Sequence, residues 1–427
     1  MRQRLWRVWA GMMALGWLAA CVSAPQAAQP TAAVPLASQA VAPSPVAPSP
    51  TAALPTTPAP TGMSCVMVAQ PATPHDASAY LLPQDHVRGS PQAPVVLVVY
   101  ADFQCPGCAV LARVLVRLQQ EFGPQVAVVY RHFPLAADND KALLAVQAAE
   151  AAAQQGAFWA LHDALYTRQD EWADLSPDAF RAWLRTTAEE LGLDADRLLR
   201  EMDDPARIAQ AQAAWEQGRD AGLAAVPVVF VNGRPYTGPP DYAGLRAVVA
   251  LALLAQRQFA ACPPWVIEPG RLYRLTLQTD RGPVVMALDS SEAPQAVNSL
   301  VFLAQQGWFE AMPVYRVEPG QAVYWGDPSG TGYGHAGYFF ALELQSTMRY
   351  DAAGWVGLVN EGPDTNSSRF FITLGPRPAW DGRFTRVGRV VQGLDILQAL
   401  PAWDGLQPTL AGPPLVAQWA QVQALLP

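Results

Sequence analysis

Apart from Arg2, Arg4 and Arg7 at its start, the 427-residue chain has no run of basic residues, and its formal net charge is −8. That balance argues against nucleic acid as a partner, because no positive footprint exists to meet a phosphate backbone. No apolar run approaches the ~20 residues needed to span a membrane as a helix. Cysteine is scarce: there are five, and only Cys105 and Cys108 stand three apart. No second Cys-x-x-Cys and no close Cys/His pair completes a four-ligand zinc site, so neither a metal nor any other cofactor is expected. Charge is absent altogether from residues 22–62, which carry ten of the chain's 40 prolines among Ala, Ser and Thr. Such a stretch cannot build a core and reads as a disordered linker, which at ~3.1 Å per residue in polyproline II would reach about 100 Å. With 51% hydrophobic content, the rest is enough for two ordinary domains.

What is present is organised around residues 95–108, VVLVVYADFQCPGC. A β-branched apolar run ends in a polar turn, the two cysteines follow, and residues 109–122 carry apolar side chains at helical spacing. Pro106 suits a first helical position, where its missing N–H costs nothing. Cys105 then falls at the helix cap, facing unpaired N–H groups and the positive end of the dipole, which favour its thiolate. The pattern predicts a redox dithiol, with Cys105 the nucleophile, its pKa lowered chiefly by the helix end, and Cys108 the more buried resolving thiol. The alternatives are a zinc half-site and a structural disulfide. Asp102, three residues earlier, is either a proton acceptor during exchange, a charge that raises a thiol pKa, or a solvated turn residue. His132 reads as a structural polar residue.

The N-terminus combines its three arginines with a short apolar core ending in Leu18-Ala19-Ala20-Cys21. That ending resembles the lipobox of bacterial lipoproteins, which implies cleavage before Cys21, lipidation of its sulfur, and a tether on the outer face of the membrane. An ordinary cleaved export signal has a similar Ala-rich end. With Cys21 lipidated, four cysteines remain as two pairs. One is the dithiol, and the other would be a structural disulfide between Cys65 and Cys262, allowed outside the cytoplasm.

The expected organisation is a signal peptide over residues 1–21, a linker over 22–62, a first domain over 63–262 and a second over 263–427. In the first, a strand at 126–130 leads to Tyr130-Arg131-His132-Phe133-Pro134-Leu135, then a long helical stretch, then Val226-Pro227 before a strand at 228–231 and a last helix. The dithiol, the YRHFPL stretch and Val226-Pro227 together resemble the DsbA-like branch of the thioredoxin fold, an α/β fold with a helical insertion. The resemblance implies that Pro227 is cis with its backbone against the dithiol, and that Val226 lines the peptide-binding groove.

In the second domain a hairpin over 273–288 and a helix over 293–306 precede many short strands, glycine turns and aromatics, a composition that argues for a small barrel. VYRVEPG at 314–320, WGDPSGTG at 325–332, VNEGPDTNSSRFFITLG at 359–375 and WDGRFTRVGRVVQGLDIL at 380–397 occur in the order found in cyclophilins. This resemblance implies a closed eight-stranded β-barrel with two helices and peptidyl-prolyl isomerase activity. Arg316 would be the catalytic guanidinium, Phe371 the floor of the proline pocket, and Asn360 a main-chain holder of substrate; Tyr324 and Trp380 belong to the same substrate site. The chain departs from the family pattern at Gln321, Ala322, Tyr324, Ala379, Phe384 and Arg369.

The combined expectation is an exported, lipid-anchored folding factor that exchanges disulfides and isomerises X-Pro bonds. Its partners would be unfolded or extended clients with thiols and X-Pro bonds, and a redox partner for the dithiol. Two alternatives stand beside it: an oxidoreductase whose second domain only binds client peptide, and a reductase dedicated to one exported partner.

Overall fold

The computed structural model describes residues 63–68, 81–407 and 412–425. The expected export signal, Cys21 and residues 22–62 lie outside them. The described helices and strands are, in chain order, β1 (Val66–Met67), β2 (His86–Arg88), β3 (Val95–Ala101), α1 (Pro106–Phe122), β4 (Val126–His132), α2 (Ala142–Ala153), α3 (Phe158–Thr167), α4 (Gln169–Trp172), α5 (Pro177–Glu190), α6 (Ala195–Met202), α7 (Pro205–Asp220), β5 (Val228–Val231), β6 (Arg234–Pro235) and α8 (Tyr242–Leu254). There follow β7 (Leu272–Thr279), β8 (Gly282–Asp289), α9 (Pro294–Gln305), β9 (Met312–Pro313), β10 (Arg316–Glu318), β11 (Ala322–Trp325), β12 (Tyr338–Phe339), β13 (Trp355–Leu358), β14 (Phe370–Thr373), β15 (Arg386–Gln392), α10 (Leu394–Gln398), β16 (Trp403–Asp404) and β17 (Val416–Ala424).

The first body is a five-stranded sheet in the order β2-β4-β3-β5-β6, in which β3 and β4 are parallel and β5 returns antiparallel to β3. β3 reads as an unbroken apolar run because both of its faces are covered. Val95, Leu97 and Val99 enter the large core with the helices, while Val96 and Val98 join a smaller cluster on the opposite face. Between β4 and β5 lie the six helices α2–α7, the helical insertion. Their starts are legible locally: Ser176, Asp194 and Asp204 each cap the helix that follows, accepting from Ala179, Arg197 and Ala206 backbone N–H groups. α2 is almost all alanine on its packed faces and is buried along most of its length, since small side chains let neighbouring helices approach closely.

In the second body the long β7–β8 hairpin packs Leu275, Leu277, Val284, Met286 and Leu288 against the apolar face of α9. Here the structure corrects the expected closed eight-stranded barrel. Ten strands hydrogen-bond in one curled sheet, in the order β16-β10-β11-β14-β13-β15-β8-β7-β17-β9, with β16 and β9 at its two ends. The physical reason is interruption. β9 and β16 are two residues long and β10 is three, because glycine turns and irregular loops break the chain before longer strands form. The loop after β11 is the clearest: the buried Asp327 carboxylate accepts from the Ser329, Gly332 and Gly334 N–H groups, holding the chain away from its neighbours.

Residues 63–68 lie with the second body. β1 pairs antiparallel with β12, Met63 N–H donates to the Pro263 carbonyl at 3.0 Å, and the Met63 side chain joins the second core. Cys65 and Cys262 form a disulfide, with Cα atoms 5.8 Å apart and a sequence separation of 197. Closing a loop of that size removes about 5 kcal/mol of denatured-state entropy in the chain-entropy treatment. The Cys65→Ser/Cys262→Ser double variant is therefore expected to lose about 2–5 kcal/mol of stability in denaturant titrations. With Cys105 and Cys108 also replaced by serine, a reductant should lower the midpoint similarly when the Cys65–Cys262 pair is present and leave it unchanged when that pair is absent.

Candidate active sites

The dithiol sits where β3 hands over to α1. Cys105 is the N-cap, with φ −75° and ψ 121°, Pro106 opens the helix, and the Cys108 N–H donates to Cys105 Sγ at 3.3 Å. Both cysteines are free thiols; Cys105 is half-buried and Cys108 buried. The Val226-Pro227 peptide is cis, as the resemblance implied, and the Val226 carbonyl lies 3.8 Å from Cys105 Sγ. Gly107 faces Pro227: a Cβ built there would lie 3.5 Å from Pro227 Cδ.

Cys105 is lowered to about 7, and the cause differs from the expectation. The hydrogen bond from the Cys108 thiol contributes most, burial opposes it, and the Cys108 backbone N–H at the helix start comes after. Cys108 is pushed up, first by serving as that donor and then by burial. Cys105 is thus the more readily ionised of the two thiols, because Cys108 keeps its proton.

Asp102 is not a solvated turn residue. It is 1% exposed, and its carboxylate accepts from Gln104 N–H, Leu135 N–H and Asn139 Nδ2. Burial pushes its carboxyl up, and those three hydrogen bonds offset part of the rise. Its charge in turn works against the Cys105 thiolate. His132 has the structural role expected of it. His132 Nε2 and His86 Nε2 both donate to Glu150 Oε1, at 2.9 and 2.7 Å, and Gln210 Nε2 donates to Oε2. Burial alone would raise Glu150, but the two imidazoles hold it well below the ordinary carboxylate range. These three residues form a cluster with ligand-like atoms within 4.8 Å of one another. Their Nε2 and Oε1 atoms are already engaged with each other. A further holder, Gln169 on α4, escaped the sequence reading: its Nε2 donates to the Phe103 and Cys105 carbonyls at 2.7 and 3.1 Å. A four-residue helix has no periodicity to reveal it.

The second site is a row of side chains across the curled sheet. In register, Arg316 on β10 stands opposite Tyr324 on β11, Tyr324 opposite Phe371 on β14, and Phe371 opposite Gly357 on β13. Directly paired residues share a face, so these four lie side by side. Gly357 is required there, because a Cβ would collide with the Phe371 ring and the Tyr350 hydroxyl. Phe371 is 1% exposed and is walled by aromatic rings: Trp380 at 4.6 Å, Phe384 at 5.4 Å, Tyr350 at 5.5 Å and Tyr324 at 6.4 Å. Trp380, rather than Ala379, supplies the indole. Asn360 lies at the end of this group, its Nδ2 donating to the Arg383 carbonyl and its Oδ1 accepting from Gly362 N–H. Arg369 turns inward, where it bonds the Gly332 carbonyl and, at 2.7 Å, Glu361 Oε1, and so ties two loops together. Glu318 was also missed. Its Oε1 lies 2.5 Å from Arg316 Nη2, and its Oε2 accepts from the Tyr324 hydroxyl at 3.0 Å. Burial first, and then the Glu318 charge, push the Tyr324 phenol up to about 12, so it stays a proton donor.

Two modules are therefore joined in one chain: a thioredoxin-like domain with a helical insertion, and a cyclophilin-type domain. The family described as Thioredoxin matches residues 82–250, and the family described as Cyclophilin type peptidyl-prolyl cis-trans isomerase/CLD matches residues 274–411. The chain is 38% identical over 127 residues to the peptidyl-prolyl cis-trans isomerase ppi1 of Schizosaccharomyces pombe, covering 29% of this chain and 82% of that protein. It belongs to the cyclophilin-type peptidyl-prolyl isomerase family. It is also 37% identical over 166 residues to the Na(+)/H(+) antiporter NhaA 1 of Mycolicibacterium gilvum, covering 38% of this chain and a quarter (25%) of that protein's length. Among solved structures, Wolbachia pipientis alpha-DsbA1 aligns over 42% of this chain and 99% of its own, at 19% identity and TM-score 0.37. Among the described residues no helix is long and apolar enough to cross a membrane.

Because the Cys105 thiolate is the reactive form, alkylation of the reduced protein by iodoacetamide should rise with pH through a midpoint near 7. Cys108→Ala, which removes the principal donor, is expected to move that midpoint upward, and Asp102→Asn to move it downward. Mass spectrometry of the Cys105 peptide across pH 5–9 checks both signs.

Proposed function

We propose that the protein is an exported folding factor in which one module exchanges disulfides and the other isomerises X-Pro bonds. The observation that carries the reading is the pairing of two complete side-chain constellations in one chain: the Cys105/Cys108 dithiol beside cis-Pro227, and the Arg316–Tyr324–Phe371 row.

In exchange, the Cys105 thiolate attacks one sulfur of a client disulfide, and the other client sulfur leaves as a thiolate. Cys108 loses its proton and attacks Cys105 Sγ, so the client leaves with two thiols while Cys105–Cys108 becomes a disulfide. Run backwards, the same steps oxidise a client, and the reduction potential of the pair sets the direction. An attacking thiol with its pKa near ambient pH is close to the optimum for this chemistry. The cis-Pro227 loop, with the Val226 carbonyl near Cys105, would align an extended client strand beside the sulfur.

Isomerisation requires an amide to twist out of conjugation across a barrier of ~18–20 kcal/mol, leaving an electron pair on the proline nitrogen. A client proline seated over Phe371, among the rings of Trp380, Phe384 and Tyr350, would bring that nitrogen to the Arg316 guanidinium, which stabilises the twisted amide electrostatically. The Asn360 side chain is spent on the Gly362 N–H and the Arg383 carbonyl, so its contact with substrate would fall to the main chain.

Export and a lipid tether at Cys21 complete the proposal. They are supported by the N-terminal residues and by the Cys65–Cys262 disulfide, a bond at home in an oxidising compartment. Both reactions are slow folding steps, and one tether raises the effective concentration of the second site for a held client.

Arg316→Ala in the full chain should cut X-Pro isomerisation of a tetrapeptide by about 100-fold while leaving disulfide exchange intact. Cys105→Ser should abolish exchange and leave isomerisation unchanged. Equal isomerisation by wild type and Arg316→Ala would reject the isomerase assignment and leave a peptide-binding module.

A further inference from the structure

Arg316 is an exposed cation on β10, between β16 and β11, yet it does not face solvent alone. Side chains two apart on a strand share a face, about 7 Å apart along the chain. Arg316 and Glu318 are so placed on β10, and the residue opposite Glu318 is the small Ala322. With no bulk across from it, the Glu318 side chain leans toward the Arg316–Tyr324 pair. Its two oxygens are divided between them: Oε1 meets Arg316 Nη2 at 2.5 Å, and Oε2 accepts from the Tyr324 hydroxyl at 3.0 Å. The side chains are 55% exposed for Arg316 and 26% for Glu318, so the carboxylate is the better anchored partner. Arg316 also leans toward the Tyr324 ring, with its guanidinium carbon 5.6 Å from the centroid. Tyr324 therefore fixes both charges.

Two consequences follow for any peptide lying across this row. A carboxylate against the guanidinium reduces the positive potential that a proline nitrogen would meet. It also puts a fixed negative charge within one residue's reach of the proline pocket, attracting a client cation and repelling a client carboxylate. A client lysine or arginine that takes over the Glu318 carboxylate releases Arg316 toward the amide, so the right substrate itself supplies the competing cation. Another arginine near the pocket, Arg377, is committed elsewhere: it donates to the Gly320 carbonyl and lies 5.9 Å from the Trp380 ring.

We propose that Glu318 determines the substrate preference of the isomerase site, selecting X-Pro segments that carry a lysine or arginine directly beside the proline. This rests on the isomerase reading above. Glu318 acts here as a specificity-determining and positioning residue, through Arg316.

The test measures cis–trans exchange by NMR, without a coupling protease, on peptides Ala-X-Pro-Phe in which X is Lys, Ala or Glu, with the full chain. Wild type is expected to rank them Lys, Ala, Glu, with a spread of about tenfold in kcat/KM at low salt that narrows at high salt. Glu318→Gln should bring the three within about twofold and raise the Ala peptide by about three- to tenfold. Glu318→Asp should restore the ranking. A merely structural role for Glu318 would lower all three peptides together and leave their order untouched. If wild type exceeds Arg316→Ala but Glu318→Gln keeps the wild-type ranking, the isomerase reading stands and the Glu318 inference is overturned. If wild type, Arg316→Ala and Glu318→Gln all run at the uncatalysed rate, the isomerase reading has failed and the inference falls with it.

Discussion

One helix serves two hydrophobic cores, and the rest of the described structure depends on it. α8 buries Leu245 and Val249 in the core beneath the dithiol-bearing sheet, while Leu254, at its last turn, enters the core of the curled sheet. Immediately beyond, the Phe259 N–H donates to the Ala336 carbonyl, and Cys262 is bonded to Cys65. The chain therefore begins and ends its first body on the surface of the second. A flexible linker would have left the two modules free to reorient. A shared helix with apolar side chains in both cores makes any such movement expose buried surface.

Both sites use the same economy of construction, in which one group is tuned by a neighbour two or three residues away on the same element. At the dithiol, Cys108 is one helical turn from Cys105 and donates both a thiol and a backbone N–H to it. At the row across the sheet, Glu318 is two residues from Arg316 and holds its guanidinium. In each case the spacing is set by the period of the element, and the shift in reactivity follows from the neighbour's hydrogen bond or charge. The supporting shell comes from far away in sequence: Asn139 and Leu135 for Asp102, Gln169 for the Cys105 carbonyl, Gly357 and Tyr350 for Phe371.

Much of this was legible along the chain. Cys105-Pro106-Gly107-Cys108 after a β-branched run announces a capped helix, and α1 begins at Pro106. Ser176 and Asp194 announce α5 and α6 in the same way. The β7–β8 hairpin follows from its alternation and its Asp280-Arg281-Gly282 turn. Other features had no local signal. α4 is four residues long, and the two-residue strands β9 and β16 exist only through their partners. The expected closed barrel gave way to an open order of ten strands, because strand number depends on where loops such as that around Asp327 interrupt pairing.

The sequence by itself determined the elements and the chemical groups: a dithiol at a helix cap, an arginine and a phenylalanine in separate short strands, and two further cysteines available to pair. These follow from spacing and propensity, which act over a few residues. Only the tertiary structure decided which neighbours tune them. It buried Asp102, made Cys108 rather than the helix end the main influence on Cys105, and turned Arg369 toward the Gly332 carbonyl and Glu361. It also divided Glu318 between Arg316 and Tyr324. Burial and charge pairing depend on which distant segments come within a few ångströms, and that distance is a property of the packed chain.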